Sequence, residues 1–309
     1  MSTLLLQHPS FLSHLTPIGH PERADRLRSI DRILENERFS MLARDVAQIG
    51  RFQDVARVHS PDHINFLHRR MPQNGIVQLD HDTTLSPGSW EAAMRAVGGA
   101  CQAVEEVMAG KVKNAFSLSR PPGHHAESKR AMGFCLFNNA AVAARYAQDH
   151  FGAERVAIVD FDVHHGNGTQ EIFWEDASVM YASTHQGQLF PGTGDKNEEG
   201  AHGSIVNAPL SYGDGGEVFK EAMQEKLLPR LKAFSPDLLI ISAGFDAHMR
   251  DPMGGLKLTE LDFAWATSQL MEVADTCCAG RVVSLLEGGY DLEGLARSAA
   301  AHVMTLMNH

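Results

Sequence analysis

Short aliphatic and β-branched runs recur along the chain at Thr3–Gln7, Ala115–Ser119, Val156–Phe161, Val179–Ser183, Leu238–Ala243 and Val282–Leu286. Between them lie segments with apolar residues at helical spacing. Ser89–Gly110 carries Ala93, Ala96, Val97, Ala100, Val104, Val107 and Met108 on that period and stops at a glycine, as helices commonly do. Asn139–Gly152, Gly216–Ala233, Thr259–Cys278 and Leu292–Met307 read the same way. Strand runs alternating with helices predict an α/β fold, an open and mostly parallel sheet with helices on both faces. No internal repeat or Pro/Ser-rich linker interrupts the rhythm, so residues 1–309 read as one domain. Stretches 8–22, 68–88, 186–204 and 244–258 are rich in Gly, Pro, Asp and Asn. Loops of that length in a compact domain are usually functional.

Composition narrows the classes of partner. With 309 residues, 43% hydrophobic and 21% charged, the chain can bury one large core. A formal charge of -11 and a pI near 5.8 argue against nucleic acid, which needs a dense Lys/Arg face. The start, Met1-Ser2-Thr3-Leu4-Leu5-Leu6-Gln7-His8, lacks the basic end and apolar stretch of a signal peptide. No later run approaches the roughly 18 apolar residues of a membrane span. A cytoplasmic protein without a membrane partner is expected. Cys101, Cys135, Cys277 and Cys278 show no Cys-x-x-Cys spacing and read as buried thiols.

The chemistry-bearing residues gather just after the strand runs. Arg120-Pro121-Pro122-Gly123-His124-His125 follows one, and Asp160-Phe161-Asp162-Val163-His164-His165-Gly166-Asn167-Gly168 follows another. In open α/β sheets, ligands bind at the carboxyl ends of strands. Asp162 and His164 alternate, so period-2 strand geometry would point both to one side, with Asp160 on the same face. A third ligand is available in Asp246, just past Leu239-Ile240-Ile241-Ser242-Ala243. A lone aspartate after a strand is most often a turn or capping residue. Several strand-end clusters of ionisable residues are harder to assign to packing, since buried charges must be paired or metal-bound. Two carboxylates and one imidazole suit Zn²⁺ or Fe²⁺ with an open position for water and substrate. A fourth cluster, Glu287-Gly288-Gly289-Tyr290, can bring a phenol hydroxyl into the same space.

Together, in this order and spacing, these clusters resemble the histone deacetylase family of the arginase–deacetylase fold, in the class II-like bacterial branch that includes acetylpolyamine amidohydrolases. The resemblance spans most of the chain, from His20-Pro21-Glu22-Arg23 through Gly133-Phe134-Cys135 and Phe190-Pro191-Gly192-Thr193-Gly194 to Asp251-Pro252-Met253-Gly254-Gly255 and Gly288-Gly289-Tyr290. It implies a sheet of about eight strands, a catalytic Zn²⁺ on Asp162, His164 and Asp246, and a tandem dyad of His124 and His125. Asp160 would orient His124 and Asn167 would orient His125; asparagine at that position is the class II pattern. Tyr290 would stabilise the transition state. Phe134 and Phe190 would wall the acyl-lysine channel, with Gly133, Met253, Gly288, Asp82 and His20 along it or at its rim. One or two structural K⁺ ions are also implied, on backbone oxygens of Asp160, Asp162 and His164 with Ser183 and Thr184.

The expected reaction is hydrolysis of an N-acetylated amine, a small molecule or a peptide, to acetate and free amine. Acetylpolyamine is the alternative substrate class: specialists place an acidic residue in the Asp251-Pro252-x-Gly254 stretch, where this chain has the apolar Met253, but Asp80, Asp82, Glu198 and Glu199 lie in loops that could reach the rim. A binuclear manganese amidinohydrolase would want a second carboxylate where Asp246-Ala247-His248 offers histidine. A non-catalytic acyl-lysine-binding protein would not need every catalytic position filled. The resemblance allows a homo-oligomer.

Overall fold

The computed structural model describes residues 2–309. Its main sheet is built from β1 (Thr3–Gln7), β2 (Ala43–Val46), β5 (Asn114–Ser117), β6 (Val156–Asp160), β7 (Val179–Gln186), β8 (Ile205–Leu210), β9 (Leu238–Ala243) and β10 (Val282–Leu286). β3 (Val77–Gln78) and β4 (Thr84–Leu85) form a small antiparallel ribbon apart from it. The eight strands lie in the order β2-β1-β5-β10-β9-β6-β7-β8 and every neighbouring pair is parallel.

The six strands read from the sequence are the six inner ones. Both that escaped are edges. β2 is largely exposed and carries Arg44 and Asp45, and β8 contains Pro209. Charge and proline are what edge strands tolerate, and they erase the apolar run.

Helices are α1 (Asp25–Leu34), α2 (Phe52–Val55), α3 (Pro61–Arg70), α4 (Ser89–Met108), α5 (Asn139–Phe151), α6 (Asn167–Phe173), α7 (Gly216–Ala222), α8 (Leu228–Phe234), α9 (Glu260–Cys277) and α10 (Leu292–Asn308). The single helix expected over 216–233 is divided by a π-helical turn at Met223–Leu227, followed by Pro229, which has no N–H to donate. Side chains of each inner strand alternate between two cores. Val156 and Ile158 of β6 face one side while Ala157 and Val159 face the other, as a period of two requires. α3, α4 and α5 cover the first face; α1, α9 and α10 cover most of the second. A sheet covered on both faces needs apolar residues at consecutive strand positions, each worth about 1.5–3 kcal/mol when buried. That is why the inner strands were legible as runs.

The topology also collects the motifs. β5, β10, β9 and β6 are spatial neighbours, so the segments leaving their carboxyl ends meet at one edge.

Candidate active site

His124 and His125 sit on the segment after β5, their ring centroids 4.0 Å apart. Each has its own partner. His124 Nδ1 lies 3.0 Å from Asp160 Oδ2, and His125 Nδ1 lies 2.9 Å from Asn167 Oδ1. The Asn167 amide donates to Glu127 Oε1 at 2.9 Å, which turns its oxygen toward His125. His125 therefore carries its proton on Nδ1 and leaves Nε2 as an acceptor. The dyad backbone is anchored from below: Glu287 Oε2 accepts Gly123 N–H at 2.6 Å and His124 N–H at 3.1 Å.

The strand geometry expected for Asp162 and His164 is not what brings them together. β6 ends at Asp160, whose carboxylate turns to His124 and to the Tyr181 hydroxyl (3.0 Å). Beyond it the chain folds around its own carboxylates. Asp160 Oδ1 accepts Asp162 N–H at 3.1 Å, Asp162 Oδ1 accepts His164 N–H at 2.9 Å, and Asp246 Oδ1 accepts Val163 N–H at 2.8 Å. Local side-chain-to-backbone bonds of this kind compete with strand pairing.

Ligand atoms of Asp162, His164 and Asp246 lie within 4.8 Å of one another, and all three residues are buried. His164 Nδ1 is 3.0 Å from Asp162 Oδ1 and 3.2 Å from Asp246 Oδ2. One ring N–H cannot serve both, and Asp246 Oδ2 makes no hydrogen bond. Burial and the Asp162 charge push the Asp246 carboxyl up to about 7. Burial opposes charge on His164, but Asp162 and Asp246 outweigh it and lift the imidazole to about 10. The cluster thus favours added positive charge. Space for an ion is kept by glycine: a Cβ on Gly288 would overlap both carboxylates, and one on Gly244 would overlap Asp162. Gly288 N–H donates to Asp162 Oδ2 at 2.8 Å. The donor set, the orphaned oxygen and the glycine floor fit a divalent metal held by these three residues. His248 points elsewhere, toward Glu260 Oε2 at 3.4 Å, so it adds no ligand for a second ion.

The two histidines of the dyad diverge electrostatically. Burial opposes charge on His124, yet Asp160 and Asp162 more than compensate and raise it well above the usual imidazole range. Burial, reinforced by His124 and His164, holds His125 well below that range.

A cavity of about 160 Å³ opens onto this cluster, lined by Asp82, His125, Gly133, Phe134, His164, Phe190, Met253 and Tyr290. Phe190 stands edge-on to His125 at 5.1 Å between ring centroids, and Phe134 stands edge-on to Tyr290 at 5.9 Å. Gly133 has φ +56°, and a Cβ there would meet the His125 ring at 2.5 Å, so only glycine lets the aromatic wall approach. His20 is not in the lining; it packs on Phe134 (4.7 Å) and contacts the Asp82 carbonyl through Nε2 at 3.1 Å. Gly288 lies beside the carboxylates instead of on the wall. Glu198 is turned to Gln170 and Gly194 N–H. A larger, shallower depression of about 470 Å³ near Gly187–Gly194 and Pro209–Ser211 holds neither the dyad nor the Asp162–His164–Asp246 cluster, and size alone does not make it the site. Ser183 pairs in register with Asp160, and the buried Thr184 Oγ1 has no partner.

Sequence reading missed the ionic support under the site. Glu22, Arg26 and Arg120 have fully buried side chains; Arg26 Nη1 and Arg120 Nε reach Glu22 Oε1 at 3.1 and 2.6 Å. Arg26 also donates to the Gly289 carbonyl at 2.6 Å and lies 4.9 Å from the Tyr290 ring centroid. The available signal was an arginine one turn before Ile30, on the apolar stripe of a helix that had not been assigned.

A parallel α/β sheet with a buried carboxylate–histidine cluster and an apolar-walled cavity at its strand ends is the arrangement of the arginase–deacetylase class of fold. The family model for the histone deacetylase domain matches residues 20–306. A probable deacetylase of Archaeoglobus fulgidus is 39% identical over 95% of this chain and 83% of its own length. Histone deacetylase 15 of Arabidopsis thaliana is 40% identical over 98% of this chain and 55% of its own length. The crystal structure of the HDA15 HD domain superposes with a TM-score of 0.94 at 40% identity, covering 100% of this chain and 88% of that one. The chain belongs to the histone deacetylase family.

Proposed function

We propose that the protein is a zinc-dependent deacetylase, acting as one catalytic domain on a linear amide of an acylated amine. The observation that supports this most is that His125, His164 and Tyr290 line one apolar-walled cavity and that His164 also belongs to the buried Asp162–His164–Asp246 cluster. When bound, Zn²⁺ supplies Lewis acidity toward the amide carbonyl and lowers the pKa of water. His125, neutral with its proton fixed on Nδ1, takes the water proton on Nε2 and returns it to the leaving amine. His124, held by Asp160, keeps a positive charge next to the reacting carbon. Tyr290 donates to the developing oxyanion. Phe134 and Phe190 flank a slot for an aliphatic stem, each methylene gaining about 0.8 kcal/mol on burial. A structural K⁺ near Ser183 and Thr184 is supported by the unpartnered Thr184 Oγ1.

Replacing Asn167 by aspartate puts a carboxylate at His125 Nδ1 and favours the imidazolium. The acid limb of kcat/KM is then expected to move to higher pH, because the base must lose its proton first. A profile unchanged between pH 5 and 9 would remove Asn167 from this role.

The cavity walled by Phe134, Phe190 and Met253 favours acetyl-lysine or a similar small N-acyl amine. Asp82 at the lining keeps acetylpolyamine as the second reading, since a carboxylate there can meet a second ammonium. Comparing kcat/KM for an acetyl-lysine peptide, free acetyl-lysine and acetylated putrescine or spermidine decides between them. Preference for the lysine substrates is expected; preference for the polyamines would transfer the assignment to Asp82.

A further inference from the structure

Asp251 takes no part in the chemistry above, yet its buried carboxylate accepts three backbone N–H groups from two separate loops. Oδ1 accepts from Met253 at 3.0 Å, and Oδ2 accepts from Tyr290 at 2.6 Å and Asp291 at 3.0 Å. The first partner is a wall residue of the channel, and the second is the tyrosine at its base. Neighbouring contacts strengthen the same link. Arg250 Nε donates to Asp291 Oδ1 at 3.1 Å and Arg250 Nη2 lies 2.8 Å from Glu293 Oε2. Asp291 in turn caps α10 by accepting Gly294 N–H at 2.7 Å. The tyrosine segment is therefore pinned to a long helix on one side and to the channel wall on the other.

Holding buried N–H groups is a need that many side chains meet. What distinguishes Asp251 is that both loops it joins face the substrate cavity, and that charge-assisted bonds to a carboxylate resist displacement more than neutral ones. On the deacetylase reading given above, we propose that Asp251 is a positioning residue that locks Met253 to Tyr290, so that the wall against which a substrate stem seats also fixes the placement of the Tyr290 hydroxyl. It acts through Tyr290 and not on the substrate itself. A wrongly seated stem would then lower turnover more than binding, which makes Met253 a determinant of kcat as well as of fit.

The test is a double-mutant cycle on the zinc-loaded enzyme with an acetyl-lysine peptide. Asp251→Asn keeps the shape, but its amide must present N–H to one of the two loops. The single variant is expected to lower kcat about 10- to 100-fold, the size of effect that a 1 Å misplacement produces, with KM changed less than about threefold. Tyr290→Phe alone is expected to lower kcat by about 100-fold or more. In the Tyr290→Phe background, Asp251→Asn should cost less than about a further twofold, because the group it positions is gone. Full multiplication of the two effects, or a wild-type kcat in Asp251→Asn, overturns the proposal. So does loss of folding or zinc in Asp251→Asn, which would assign the residue to the scaffold. An inactive wild-type enzyme would instead sink the deacetylase reading, so the two failures are distinguishable.

Discussion

Asp246→Ala is expected to yield a folded protein that retains no zinc and whose kcat falls by about four orders of magnitude or more. The Asp246 carboxylate is one of three buried side chains clustered closely enough to hold a metal, and without a metal the water would keep its high bulk pKa instead of being lowered toward neutrality. Folding should survive, because the carboxylate is a burden without an ion. Burial and Asp162 raise the Asp246 carboxyl to about 7, above its unfolded value. For such a raised group, stability is fully present below the unfolded pKa and is lost as pH rises through the folded one. In the metal-stripped wild type the Asp246 contribution is therefore lost between about pH 4 and 7, and that of Glu287, also raised to about 7 by burial, in the same window, while His14, His59, His165, His185 and His302, all lowered by burial, gain stability over its lower part. Asp246→Ala should flatten part of that loss. Zinc analysis, kcat and Tm against pH measure all three; stoichiometric zinc in the variant would break the ligand set.

His125→Ala should keep its zinc and lose about 10²- to 10⁴-fold in kcat, the contribution typical of a positioned general base or acid. Burial, with the charges of His124 and His164, holds His125 well below the usual range. The wild-type acid limb should accordingly lie below about pH 6.5, the ordinary histidine value. In the variant that limb should vanish along with the rate. His124→Ala offers a contrast, since Asp160 and Asp162 raise His124 well above the usual imidazole range, which suits a stabilising charge better than a base. Wild-type turnover in His125→Ala across pH would transfer the proton chemistry to another group.

Legibility in the sequence followed burial. Inner strands such as β9, apolar at nearly every position, were found at their observed bounds, whereas the edges β2 and β8 were hidden by Arg44, Asp45 and Pro209. α1 and α3 were missed although Leu27, Ile30 and Leu34 keep helical spacing and Ser60-Pro61 opens α3 with a capping hydroxyl. In the site, residues carrying chemistry stood out by type and spacing, and Asp162, His164 and Asp246 do come together. Strand alternation accounts for this only in part, because it stops at Asp160 and backbone hydrogen bonds to carboxylates shape the rest. Glu287, Arg26 and Asp251 could not be assigned their contacts from one sequence, because each acts through partners distant along the chain. Asp251 reaches Tyr290 39 positions away, and Arg26 reaches Gly289 263 positions away.

The central claim, one catalytic metal on Asp162, His164 and Asp246 serving amide hydrolysis, is tested most directly by metal analysis joined to turnover. Protein purified without added metal should carry about one zinc per chain and release acetate from an acetyl-lysine peptide, losing that activity on chelation and regaining it with zinc. Two manganese ions per chain, or full turnover by the metal-free protein, would contradict it.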